Sequence, residues 1–150
     1  MDYEKYMRAA LELAREAAAA GEVPVGCVVF TREGEIVGRG RNRREEGPDA
    51  TAHAEVEAIR DACAALGSWN LSGCGIAVTL EPCPMCAGAI ISSRLSTVVY
   101  GAKEPNTGSV GSVINLFEEA YGHKPAVYGG VLAGECRAEL AAVFRGLRKS

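Results

Sequence analysis

The sequence predicts an α/β fold in which an open, mixed sheet of five strands is covered by helices on both faces, as one domain over residues 1–150. Three observations predict it. Helical and extended patterns alternate along the chain. The extended runs are short, apolar and β-branched. The first two are joined by a tight turn and the later ones are separated by helix-length segments, which makes the later strands parallel.

The first helix covers Tyr3 to Ala20, where Tyr6, Ala10, Leu13, Ala14 and Ala17 recur at helical spacing and Gly21 ends the run. Val25 to Thr31 reads as a strand, Arg32 to Glu35 as a hairpin turn, and Ile36 to Arg41 as the second strand. A polar loop from Arg43 to Ala50 leads to Thr51, the expected N-cap of a helix running to about Leu66. Ile76 to Leu80 is a buried strand. The helix after it starts near Cys83, with Pro84 in the first turn, where its missing N–H costs nothing. Thr97 to Tyr100 is the fourth strand. A glycine-rich loop then leads to a short helix around Val113 to Ala120, a fifth strand over Ala126 to Leu132, and a closing helix over Glu135 to Leu147.

Hydrophobic residues make up 48% of the chain and charged residues 23%, which is an ordinary globular mixture. No segment approaches the roughly 20 apolar residues that a membrane-spanning helix needs, and Met1 to Lys5 lacks a signal-peptide pattern. A cytoplasmic location is expected, with no membrane partner. In that setting Cys27, Cys63, Cys74 and Cys136 read as reduced thiols. A net charge of −3 gives no global drive toward nucleic acid and leaves local basic patches to supply any such binding.

His53-Ala54-Glu55 and Pro82-Cys83-Pro84-Met85-Cys86 carry the chemistry. One histidine and a C-x-x-C pair make a three-ligand zinc set of His53, Cys83 and Cys86. Catalytic zinc keeps three protein ligands and an open position, whereas structural zinc closes its shell with four. Glu55 next to the histidine adds a proton carrier. Both motifs fall at helix starts, where the positive dipole end favours thiolate. Cys83 and Cys86 are i, i+3 neighbours on one face. His53 and Glu55, at i and i+2, diverge in mid-helix, so they meet only at a helix end. His123 reads as a structural or surface residue.

These stretches, with Thr51-Ala52 before the first and Ala87-Gly88-Ala89 after the second, resemble the zinc-dependent nucleobase deaminases of the cytidine deaminase-like fold, whose signature is H-x-E…P-C-x-x-C. Further blocks narrow the resemblance to the bacterial tRNA-specific adenosine deaminases: Glu22 to Gly26, Arg41 to Arg43, Val99 to Lys103, Thr107 to Ser112, and Gly130 to Cys136. The resemblance implies a three-layer α/β/α architecture, one zinc ion per subunit and a homodimer. The segment Gly108 to Phe117, glycine-rich and then apolar, has two readings, a surface that packs on the partner and ordinary core. It also implies hydrolysis of adenosine to inosine at the wobble position of a tRNA anticodon, with release of ammonia. Glu55 is then the catalytic proton shuttle, and Asn42, Ala54, Glu81, Val23 and Pro24 surround the target base. Asn42 has a second reading as a turn residue in the left-handed region.

The resemblance also implies that Arg41, Arg43 and Arg44 with Glu104, and Phe144, Arg145 and Arg148 in the closing helix, bracket an anticodon loop. Read as residues alone, the same clusters are solvated charged faces, and Glu45 and Glu46 partly cancel the first. Glu104, Asn106, Val143 and Ala50 depart from the family pattern. Two other functions share parts of the signature: a deaminase of a free base such as guanine or cytosine, and a non-catalytic zinc module. Glu55 and the missing fourth ligand argue against the module.

Overall fold

A computed structural model describes the backbone of residues 2–149 and the side chains of residues 2–142. The elements run α1 (Tyr3–Ala19), β1 (Gly26–Phe30), β2 (Ile36–Arg41), α2 (Ala54–Leu66), β3 (Gly75–Leu80), α3 (Pro84–Ser93), β4 (Thr97–Ala102), β5 (Ala126–Tyr128) and α4 (Ala133–Lys149). The five strands form one sheet in the order β2-β1-β3-β4-β5. β1 is antiparallel to both β2 and β3, whereas β3–β4 and β4–β5 are parallel. The expected mixed sheet and its parallel second half are both present.

Side-chain alternation along the strands sorts the core into two layers. Cys27 and Val29 of β1, Ile76 and Val78 of β3, and Val98 and Tyr100 of β4 pack with Ala54, Ala58 and Ala62 of α2 and Ala87 and Ile90 of α3. Val28, Phe30, Ala77 and Val99 face the other way, against Tyr6, Met7, Ala10 and Leu11 of α1 and Cys136 of α4. Helices therefore cover both faces of the sheet.

Glycines set the helix–sheet distance. A Cβ built on Gly26 would lie 1.9 Å from the Ala10 carbonyl oxygen of α1, and one on Gly40 would lie 2.2 Å from the Ala54 oxygen of α2. A Cβ on Gly38 would lie 2.3 Å from the Ala58 oxygen. Backbone meets backbone at these positions, so the register of β1 and β2 fixes where α1 and α2 sit.

Most boundaries fall within two residues of expectation, and three departures have a physical reason. Thr51 does not cap α2; His53 holds that position without a side-chain cap hydrogen bond, and the Thr51 hydroxyl donates to Asp49 instead, at 2.7 Å. The helix expected over Val113 to Ala120 is one 3-10 turn, Leu116–Glu118, started by the Asn115 side chain accepting from the Phe117 N–H. Only Phe117 of that turn is buried, and Val113 and Ile114 ahead of it are exposed, so a longer helix here has no buried apolar face to stabilise it. β5 stops at Tyr128 rather than Leu132. Gly129 lies so close to the Tyr100 ring that a Cβ would sit 2.3 Å from Cζ, and Gly130 and Leu132 take positive φ of 82° and 52°. That turn breaks the strand and launches α4.

Candidate active site

β2 and β3 both run opposite to β1, so the C-terminal ends of β2, β3 and β4 share one edge of the sheet. Ligands of open α/β sheets bind at such an edge. A cavity of about 180 Å³ lies there. Val23 and Val25 line it ahead of β1, Asn42 and Arg44 after β2, and His53, Ala54 and Glu55 at the start of α2. Leu80 lines it at the end of β3, Glu81 and Cys83 just beyond, and Glu104 and Thr107 after β4. Five chain segments converge on one hole.

His53 is the N-cap of α2 and Cys83 the N-cap of α3, both with extended backbone, and Cys86 lies in the first turn of α3. The extended caps aim both side chains off the helix ends. This removes the difficulty of the i, i+2 spacing, because Glu55 alone belongs to the helical turn and His53 precedes it. His53 Nδ1 lies 3.6 Å from Cys83 Sγ and 3.5 Å from Cys86 Sγ, and all three donor atoms fall within 4.8 Å of one another. A tetrahedral zinc ion with bonds of about 2.1 Å to nitrogen and about 2.3 Å to sulfur sets those atoms about 3.6 Å apart. The donor set fits zinc in chemistry and in spacing.

The charges in the cavity are arranged in opposition. The Cys83 thiol is held down at about 4, first by a hydrogen bond from Cys86 and then by His53. The Cys86 thiol is raised by Cys83 and by burial. His53 is raised, chiefly through its hydrogen bond with Cys83. Glu55 is only 4% exposed, and its burial pushes it up to about 7. A carboxyl group that titrates near neutrality gives and takes protons at comparable cost, which is what general acid–base work requires.

Zinc-binding regions of cytidine and deoxycytidylate deaminases match residues 1–102, which include His53, Glu55, Cys83 and Cys86. The chain belongs to the cytidine and deoxycytidylate deaminase family. It is 48% identical to a tRNA-specific adenosine deaminase of Bacillus subtilis over 97% of this chain and 91% of that protein. A solved structure of a tRNA:A34 deaminase, studied for A-to-I editing at the wobble position of transfer RNA, superposes with a TM-score of 0.87 at 42% identity, over 91% of this chain and 99% of that one. A guanine deaminase of Nitrosomonas europaea superposes with a TM-score of 0.83 at 29% identity, over 93% and 83% of the two chains. The chain also matches a tRNA(Ile)-lysidine synthase of Deinococcus radiodurans at 50% identity, of which it spans only 25% of the length. Zinc is the metal of this deaminase fold, and His53, Cys83 and Cys86 are the residues positioned to hold it.

The remaining expected site residues fall in several places. Val23, Asn42, Ala54 and Glu81 line the cavity; Pro24 is buried and is not among the lining residues. Asn42 is 7% exposed and is not among the residues with positive φ, so the left-handed turn reading does not apply. Glu81 spends its carboxylate on a loop. Oε1 accepts from the Glu104 N–H at 3.1 Å and from the Ser112 hydroxyl, and Oε2 from the N–H groups of Val110 at 3.0 Å and Ser112 at 3.1 Å. Those hydrogen bonds, with the Ser112 hydroxyl first, hold Glu81 below the usual carboxylate range against the opposing effect of burial. Arg41 is committed to an ion pair with Glu46 at 2.8 Å and donates to the Asn42 carbonyl at 3.3 Å. Arg43 is exposed and lies 3.6 Å from Glu46, while Arg44 and Glu104 stand at the cavity wall. The side chains of Phe144, Arg145 and Arg148 lie outside the described residues.

Sequence reasoning passed over Val25, Leu80 and Thr107 of the lining and the buried Glu22 beneath the Asn42 loop. A signal for Glu22 existed. It is a charged residue set between the end of a helix and the uncharged, mostly apolar stretch Val23 to Phe30, where a solvated glutamate is out of place.

Proposed function

We propose that this chain is a zinc-dependent tRNA adenosine deaminase that converts adenosine to inosine at the wobble position of an anticodon and releases ammonia. The observation that carries the chemistry is a buried Glu55, raised to about 7, in the same cavity as the His53, Cys83 and Cys86 donor set. Zinc, when bound, supplies an activated water at neutral pH. Glu55 accepts one proton of the attacking water and passes it to the ring nitrogen of the amidine, then takes the second proton from the new C–OH group and hands it to the departing amine. A C–O bond forms, the C–N bond breaks, and one carboxyl group serves every transfer because each proton moves locally. The cavity receives a base turned out of its strand, as such enzymes require. Asn42 meets the polar edge of that base, the Ala54 backbone and Val23 contact its body, and Glu81 holds the loop that carries Glu104 and Thr107 over the mouth.

Similarity to tRNA-specific adenosine deaminases over almost the whole of both chains supports RNA as the substrate. Arg44 at the cavity wall and the exposed Arg43 are the basic residues we assign to the anticodon backbone. The working unit is a homodimer. An apolar groove between α2 and α3, lined by Val56, Ile59, Cys63, Trp69 and Ala89, is the surface we assign to the partner, together with the exposed Val113 and Ile114. No helix among the described residues is long and apolar enough to cross a membrane, and we assign the protein to the cytoplasm, where its substrate is.

An ammonia-release assay of the zinc-loaded protein on an anticodon stem-loop with adenosine at the wobble position, beside free guanine and free cytosine, tests the reading. Turnover of the stem-loop alone is expected. Turnover of guanine without the stem-loop overturns the choice of substrate, and silence on all three overturns the enzyme.

A further inference from the structure

Beneath the loop that carries Asn42 lies a carboxylate with no part in the chemistry. Glu22 follows the end of α1, its side chain is 3% exposed, and its own N–H returns to the Ala17 carbonyl at 2.9 Å. Its two oxygens accept from the Glu45 N–H at 3.1 Å each, and Oε2 accepts from the Glu46 N–H at 2.7 Å. Those donors open a single turn of helix-like backbone, in which Gly47 N–H donates to the Arg43 carbonyl and Asp49 N–H to the Arg44 carbonyl, both at 3.0 Å. The first N–H groups of such a turn have no carbonyl within it. Here Arg44 N–H donates to Asn42 Oδ1 at 3.2 Å, and Glu22 takes the next two. One asparagine and one glutamate, 20 residues apart in sequence, cap the same turn.

We infer that Glu22 is a positioning residue for the target base, acting through Asn42. The inference rests on the reading of Asn42 as the base contact. An asparagine amide has one acceptor end and one donor end. With Oδ1 engaged by Arg44 N–H, the NH2 end is the one left for the cavity, which Asn42 lines. The direction of that amide depends on where the Arg44 N–H points, and the turn that fixes the Arg44 N–H is held from below by Glu22. The Glu46 side chain draws the same turn toward Arg41, at 2.8 Å, so the loop is held from two sides. Without the Glu22 carboxylate, the Glu45 and Glu46 N–H groups lose their acceptor, the turn loosens, and Asn42 reaches the base in the correct orientation only part of the time.

Glu22→Gln keeps the volume of the buried side chain and replaces one acceptor with a donor that faces the turn. On the stem-loop we expect KM to rise about tenfold, the loss expected for a charge-assisted hydrogen bond, with kcat and zinc content within about twofold of the parent protein. Amide exchange in the 43–49 segment should accelerate while that of β3 and β4 is unchanged. On an Asn42→Ala background the KM effect of Glu22→Gln should shrink to less than about twofold, because contacts in series do not add. A carboxylate that only stabilises the fold would lower the melting temperature and leave KM unchanged, and that result overturns the inference. So does a Glu22→Gln effect that persists undiminished without Asn42. If Asn42→Ala alone leaves KM unchanged, the base-contact reading falls and this inference falls with it. The exchange measurement needs no substrate. Unchanged protection of 43–49 in Glu22→Gln refutes the cap whatever the substrate proves to be.

Discussion

Cys83 and Glu55 sit in one cavity and have exchanged order on the pH scale, the thiol brought down to about 4 and the carboxyl up to about 7. In the metal-free protein Cys83 is therefore a thiolate at neutral pH, whereas Cys27, Cys63, Cys74, Cys86 and Cys136 are all raised, mostly by burial. After zinc is chelated, iodoacetamide at pH 7 should label Cys83 first, and zinc should protect it; peptide mass spectrometry reads both outcomes. Chelation should also abolish deamination, with recovery on adding zinc back. Glu55→Gln should keep zinc and the fold and lose about 10² to 10⁴ of kcat on the stem-loop, the usual contribution of a positioned proton carrier. The zinc donors and Glu55 were legible in the sequence because each carries its chemistry in its side chain and its spacing. For Glu22 only its burial was legible, from its place before an apolar run; its role was not, because its partners are the backbone N–H groups of Glu45 and Glu46, which have no side-chain signature. Arg41 was legible as a charge, but its burial against Glu46 was not.

Elements position these residues through contacts that are close to incompressible. Gly40→Ala would drive a methyl group into the Ala54 carbonyl at the first turn of α2, between His53 and Glu55. It should cost about 1–3 kcal/mol in urea unfolding and lower zinc affinity as well, because the ligand-bearing helix start must shift. The loop after β2 depends on ion pairs and capping. Glu46 is held below the usual carboxylate range chiefly by its hydrogen bond to Arg41, and Asp49 by its bonds to Thr51. Both folded values lie below the unfolded ones, so their contribution is present in full above the ordinary 4.5 and 3.8 and is lost as pH falls through the lowered values. A carboxyl-carbon NMR titration should give midpoints below those figures for both residues, and Arg41→Gln should return Glu46 toward 4.5. The alternation of helix and strand was readable because period 2 and period 3.6 leave different marks. The apolar run Val113-Ile114-Leu116-Phe117 misled for a physical reason: Val113 and Ile114 are exposed, and hydrophobicity alone does not say which surface it will cover.

At the scale of the whole molecule, apolar surface is left uncovered on the α2–α3 side, where Trp69 is 64% exposed, and on the loop after β4, where Val113 is 55% and Ile114 48% exposed. Sedimentation equilibrium should find a dimer, and the double substitution Val113→Asp with Ile114→Asp should yield monomer without loss of the melting transition. The glycine seats have a further consequence, for how this protein can change over generations. Gly26, Gly38 and Gly40 leave no side-chain cushion between the sheet and its two neighbouring helices, so no series of small substitutions can slide those helices along it. The metal frame is thus closed to gradual revision. The loops after β2 and β4, each pinned by one buried carboxylate, can be rewritten residue by residue while the hydrolytic centre stays put. New base preferences should arise in those loops, and selection for altered substrates should return changes between residues 43 and 50 and between 103 and 112 before any at the helix–sheet contacts.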